Sequence, residues 1–206
     1  MRRAILVATV VAVLVSAPAG ALAGKKDSYT DLAALQPPPN PNLNWDCWVS
    51  GKNIVCEASF VDTWESFEID DICDFSFYSV NGSHSGNIRR VHDLQGRQLY
   101  STNLRHIRET LSLNADGSGP TLRAFGHFMN EFKFGTPGDV STRTETFKGT
   151  DVTIVGQGVG LVLHDNGIKT YDIDDNLILA HGPHPVAEDF EAAFQKVCAA
   201  FEKLGA

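Results

Sequence analysis

The run Pro185-Val186-Ala187-Glu188-Asp189-Phe190-Glu191-Ala192-Ala193-Phe194-Gln195-Lys196-Val197-Cys198-Ala199-Ala200-Phe201-Glu202-Lys203-Leu204 decides how the rest of the chain is read. Val186, Phe190, Ala193, Phe194, Val197, Phe201 and Leu204 recur at steps of three and four residues, which lays an apolar stripe along one side of a helix over 185–204. Cys198 falls on that stripe. Glu188, Asp189 and Glu191 gather toward the positive end of the helix dipole, while Lys196, Glu202 and Lys203 mostly face away from the stripe. Pro185 suits the first turn, where its missing N–H is not needed. A helix with one apolar side and a thiol on that side has to dock on something, and the remainder of the chain offers strands.

From Ile54 to Ala180, β-branched and aromatic residues come in short runs broken by turn formers. Turn signals fall at Asn81-Gly82, Gln95-Gly96, Asp116-Gly117, Pro137-Gly138, Lys148-Gly149, Asn166-Gly167 and Asp175-Asn176. They divide the chain into strands near 45–50, 53–60, 63–69, 73–80, 86–93, 97–104, 107–113, 121–134, 140–148, 152–163, 168–173 and 176–180. Crossover helices do not fit between them, so the expected fold is all-β with one C-terminal helix, an antiparallel meander. Closure as a barrel or a barrel-like sandwich would remove its long edges. In the strand expected over 152–163, Gly156, Gly158 and Gly160 share one face, leaving room for an aromatic from Phe128 or Phe132.

Arg2 and Arg3, an apolar run from Ala4 to Val15 and small residues ending in Ala21-Leu22-Ala23 read as a signal peptide over 1–23. The apolar run is short for a membrane span, and no later segment approaches the roughly 20 apolar residues a span needs. Cleavage removes two of the 17 basic residues and none of the 25 acidic ones, leaving a charge of roughly −10 that repels phosphate backbones and argues against nucleic acid as a partner. Residues 24–44, ending in Gln36-Pro37-Pro38-Pro39-Asn40-Pro41-Asn42, read as a disordered proline-rich linker or, alternatively, a ligand for a proline-recognition module. Residues 45–206 then form one domain.

Export makes the four cysteines an oxidised set with three pairings open to it. A two-residue turn at Gly51-Lys52 places Cys47 opposite Cys56 at a non-hydrogen-bonded position, where side chains come closest. Cys73 is then left for Cys198. The spacing is not that of a zinc site.

Among candidate chemical groups, His181 and His184 are three residues apart and would need His164 or Asp165 as a third metal ligand; a turn entering the helix accounts for them as well. His127 with Glu131, or His164 with Asp165, would supply a histidine and a carboxylate for catalysis. Gly82-Ser83-His84-Ser85-Gly86 has histidine where a nucleophile elbow needs serine, and reads as a hairpin. Asp165-Asn166-Gly167 and Asp172-Ile173-Asp174-Asp175-Asn176 could hold calcium but are most simply turns. Asn81-Gly82-Ser83 is a glycosylation sequon. No cofactor is implied.

Cys73-Asp74-Phe75, Asp93-Leu94-Gln95-Gly96-Arg97, the run Gly158 to Gly167, Gly182-Pro183-His184-Pro185 and a late cysteine together resemble a large group of secreted proteins from actinobacteria and similar bacteria. The resemblance covers about 71–200 and implies the same β-rich fold and the Cys73/Cys198 bridge. That group has no assigned activity, so it brings no functional residues. The Cys47/Cys56 hairpin and the proline segment look like additions, and the G-x-W opening of lipocalins is missing. The expected role is a secreted or cell-envelope binding protein without catalysis, taking a small apolar ligand in a barrel interior. The alternatives are a hydrolase or isomerase using one of the histidine–carboxylate pairs, and an interaction module presenting Trp45 and Trp48.

Overall fold

The computed structural model describes residues 27–205; the signal peptide expected over 1–23 lies outside them. One antiparallel sheet runs in chain order through β1 (Asp27–Ser28), β2 (Asp46–Ser50), β3 (Asn53–Ile69), β4 (Phe77–Asp93), β5 (Gln98–Ser112), β6 (Thr121–Phe134), β7 (Arg143–Gly156), β8 (Gly160–Tyr171) and β9 (Leu177–His181). Helices α1 (Pro185–Glu188) and α2 (Phe190–Leu204) follow. The meander is as expected, but the closure is not. Among the described residues β1 and β9 each pair with one strand only, so the sheet is not closed into a barrel. The two-residue β1 and five-residue β9 are too short to seal a sheet whose inner strands reach 17 residues, and short edges are one way proteins blunt edge pairing.

Several expected turns are strand interior. Asn81-Gly82, Lys148-Gly149 and Asn166-Gly167 lie inside β4, β7 and β8, so the short strands expected on either side of each are single long strands. Register shifts between Val80 and Ser83 and between Thr150 and Val152 mark bulges, which bend long strands rather than end them. Gly82 and Gly86 therefore sit within β4, not in a hairpin; a Cβ on them would lie 1.8 Å from the Trp64 ring and 2.9 Å from the Phe60 ring. The strand expected over 152–163 is instead the β7–β8 hairpin, with Gly158 at φ +84° in its turn.

The helix breaks at Asp189, where φ is −156°, and its carboxylate accepts the Ala192 N–H at 2.9 Å. A residue expected inside the helix thus caps its second segment, a role aspartate favours. α2 sets Ala193, Val197, Ala200 and Phe201 on Phe77, Leu111, Leu122, Ala124, Ile154 and Leu163, all on one face of the sheet. The same face is covered at its other end by residues 29–45, with Leu35 fully buried against Cys47, Ile54 and Cys56. The proline-rich segment is therefore docked where it was expected to be a tether. Gln36 bridges Arg97, and the Arg90 guanidinium bonds the Pro37 and Pro38 carbonyls at 3.4 Å.

Both disulfides form as expected. Cys47 and Cys56 are register partners in β2 and β3, and Cys73 joins Cys198 of α2. The bridges span 9 and 125 residues. Constraint of the unfolded chain makes them worth about 3 and about 5 kcal/mol. Urea unfolding of the two double Cys→Ser variants should therefore show the larger loss for Cys73/Cys198.

Candidate functional site

Three constellations of polar side chains stand out, one a fastening and two open to ligands. The fastening centres on Asp165, 0% exposed in β8. Its Oδ1 accepts from Lys169 Nζ at 3.0 Å and lies 3.1 Å from His184 Nδ1, while its Oδ2 accepts the Val186 N–H at 3.1 Å. Lys169 Nζ also reaches Asp151 Oδ2 at 2.6 Å, and His184 Nε2 meets the His181 carbonyl at 2.9 Å. Burial alone would lower the Lys169 pKa, but the bonds from Asp151 and Asp165 outweigh it and hold the ammonium above its ordinary value. Gly167, at φ +134°, admits the β9–α1 link: a Cβ there would lie 2.1 Å from the His181 carbonyl oxygen. Asp165, Gly167, Gly182 and His184, read from sequence as turn punctuation, are the joint that ties β8 to α1.

The histidine–carboxylate pairs do not converge. His164 and Asp165 are adjacent in a strand and project to opposite faces; His164 Nδ1 meets Thr153 Oγ1 at 2.9 Å, on the other side of the sheet from the Asp165 network. Glu131 is engaged by Lys148 and Lys133, first of all by the Lys148 bond, which holds its carboxyl below the usual range. His127 instead meets His106 across β5 and β6. Both His184 ring nitrogens are occupied, so it and His181 do not present a ligand pair. Asp172 closes its own turn by accepting from the Asp174 and Asn176 N–H groups at 3.0 and 2.9 Å. Among the described residues no group of three or more histidine, cysteine, aspartate or glutamate side chains could hold a metal ion. Trp48 is buried with Val55 and Val91, and Trp45 carries the Arg90 guanidinium 5.2 Å above its ring, so neither forms a free aromatic surface.

The second constellation lies on the covered face between its two covers. A cavity of about 180 Å³ is lined by Pro37, Ile88, Arg90, Gln98, Ser101, Asn103, Phe132, Phe134 and Arg143. Within and beside it, Gln98 Oε1, Asn103 Oδ1, Asn130 Oδ1 and Arg105 Nε are buried and bond to no protein atom. Asn103 and Asn130 are register partners, and Asn130 Nδ2 donates to Glu145 Oε1 at 2.8 Å. Burial raises the Glu145 pKa despite Arg143, the Asn130 bond and Arg105. Burial likewise lowers that of Arg90. Buried polar atoms are rarely left without partners, and this row finds none within the protein.

The third is the His106/His127 pair on the opposite face. The sequence reading missed it, although the same counting that paired Cys47 with Cys56 finds it: both histidines are equidistant from the Asp116-Gly117 turn. Comparison with protein-family models, curated proteins and solved structures finds no match. Among the described residues no helix is long and apolar enough to cross a membrane.

Lys169→Met leaves Asp165 as an uncompensated buried charge and should destabilise the fold by about 3–5 kcal/mol. Because the folded-state Lys169 pKa is raised, its contribution is complete below the ordinary lysine value of 10.5 and is lost as pH rises through the higher folded value. Denaturant titrations of both proteins from pH 8 upward should therefore converge.

Proposed function

We propose that this chain is an exported binding protein without a catalytic role, acting outside the cell or at its envelope, in keeping with the secreted group it resembles. Its ligand is a small polar molecule seated against Arg90, Gln98, Asn103 and Arg143. Two disulfides and the N-terminal signal pattern support export. The observation that carries the reading is the row of buried carboxamide oxygens, at Gln98, Asn103 and Asn130, with no partner in the protein. They ask for hydrogen-bond donors such as hydroxyls, and the two guanidiniums ask for an anionic group. A small apolar ligand was expected in a barrel interior; here Pro37, Ile88, Phe132 and Phe134 share the walls with Arg90, Gln98, Ser101, Asn103 and Arg143, and it is the buried carboxamide oxygens that favour a polar ligand. The enzyme reading has no converging pair to rest on.

A second role, in protein interaction, is favoured by β9. Leu177, Ile178 and Leu179 are exposed on a strand whose outer edge pairs with nothing among the described residues.

Native mass spectrometry of the secreted chain, followed by titration with galacturonate and with decanoate, separates the polar from the apolar ligand. Galacturonate should bind, and Asn103→Leu and Arg143→Met should each weaken it about tenfold or more. Preference for decanoate, or no binding of galacturonate to the wild-type chain, would refute the assignment.

A further inference from the structure

We propose that His106 and His127 form a two-histidine site for a divalent transition cation, copper above zinc, on the sheet face opposite the polar cavity. The two residues face each other across the β5–β6 ladder, with Nδ1 atoms 2.9 Å apart and ring centroids 4.2 Å apart. With no metal, one Nδ1 must donate its proton to the other. A cation can take the place of that proton when the donor ring passes it through water to its own Nε2, leaving both Nδ1 lone pairs free, and would sit about 2.0–2.1 Å from each nitrogen. At that bond length two ligands at right angles are separated by about 2.9 Å and two tetrahedral ligands by about 3.4 Å. The observed spacing thus suits adjacent positions of a tetragonal copper(II) centre as it stands, and a zinc centre after a small opening. Copper also binds nitrogen sites most tightly of the divalent first-row metals.

Packing gives only a weak reason for the pair, an edge-to-face ring contact at 75° between side chains that water reaches. His127 is exposed and His106 half-buried, and a single hydrogen bond between wet side chains contributes little to stability. His127 follows the regular alternation of β6, whose register with β5 is unbroken from Thr121 to Lys133; the extra residue of the β6–β7 shift lies on β7, where the Asp151 carbonyl oxygen would stand 2.2 Å from a Cβ on Gly126. The pair opens on a groove of about 640 Å³ that Arg108 and Arg123 also line, and His106 alone borders a smaller one with Ser83, Ser85 and Arg108. The metal's remaining positions face these grooves, where water or an exogenous anion drawn by the two arginines would complete the coordination.

The test is titration of the secreted full chain with copper(II) chloride, followed by calorimetry and electron paramagnetic resonance. One equivalent should bind with a two-nitrogen signature. His106→Gln and His127→Gln should each weaken it tenfold or more, and the controls His164→Gln and His181→Gln should leave it within twofold. Zinc chloride added to wild-type protein labelled at its imidazole nitrogens should shift the Nδ1 resonances of His106 and His127 alone, a readout that does not depend on any variant folding. The proposal is overturned if copper binding at up to 1 mM is absent, is unchanged in both variants or is weakened equally in the controls, or if zinc shifts other histidines instead.

Discussion

A sheet that does not close must have one face covered by other parts of its own chain, and most of this molecule follows from how that is done. At one end the cover is α2, held by the Cys73–Cys198 bridge and by the Asp165 carboxylate gripping the first turn of α1. At the other end it is the segment around Leu35, set against the Cys47–Cys56 hairpin. The two covers do not meet over the middle of the sheet. There Arg90, Gln98, Ser101, Asn103 and Arg143 stand among Ile88, Phe132 and Phe134, and the cavity between Pro37 and Arg143 remains.

The two buried polar groups differ in how complete they are. Around Asp165 both carboxylate oxygens are engaged, the ammonium of Lys169 is shared with a second carboxylate, and His184 uses both nitrogens. Such a closed network fixes geometry and leaves nothing for a ligand to gain. Around Asn103 the donors and acceptors are left over, which in a buried place is costly unless a partner from outside supplies the missing bonds. That contrast, rather than the number of charges, separates the fastening from the binding site.

Much of the fold was legible because its signals are local. The Gly51-Lys52 turn fixed the Cys47/Cys56 register, and the helical spacing after Pro185 located α2. The errors came where one signal has two physical meanings. Asn81-Gly82, Lys148-Gly149 and Asn166-Gly167 supply the backbone freedom of a hairpin, but also that of a bulge or of a close approach. Which of these occurs depends on whether the flanking strands pair with each other or with third strands, information that is not local. The polar cavity was not legible, since Arg90, Gln98, Asn103 and Arg143 come from four separate places and meet only through sheet register. The His106/His127 pair was legible in principle, by counting outward from Asp116-Gly117, as the symmetry of that hairpin about its turn now makes plain.

The central claim is an open sheet covered at both ends, and residue-resolved hydrogen exchange tests it most directly. Alternate amides of Leu177–His181 on the outer edge of β9 should exchange nearly as fast as in an unfolded chain, while amides of β4 to β7 beneath the covers stay protected. Protection of every amide in β9 would mean that its edge is paired, and would contradict the account.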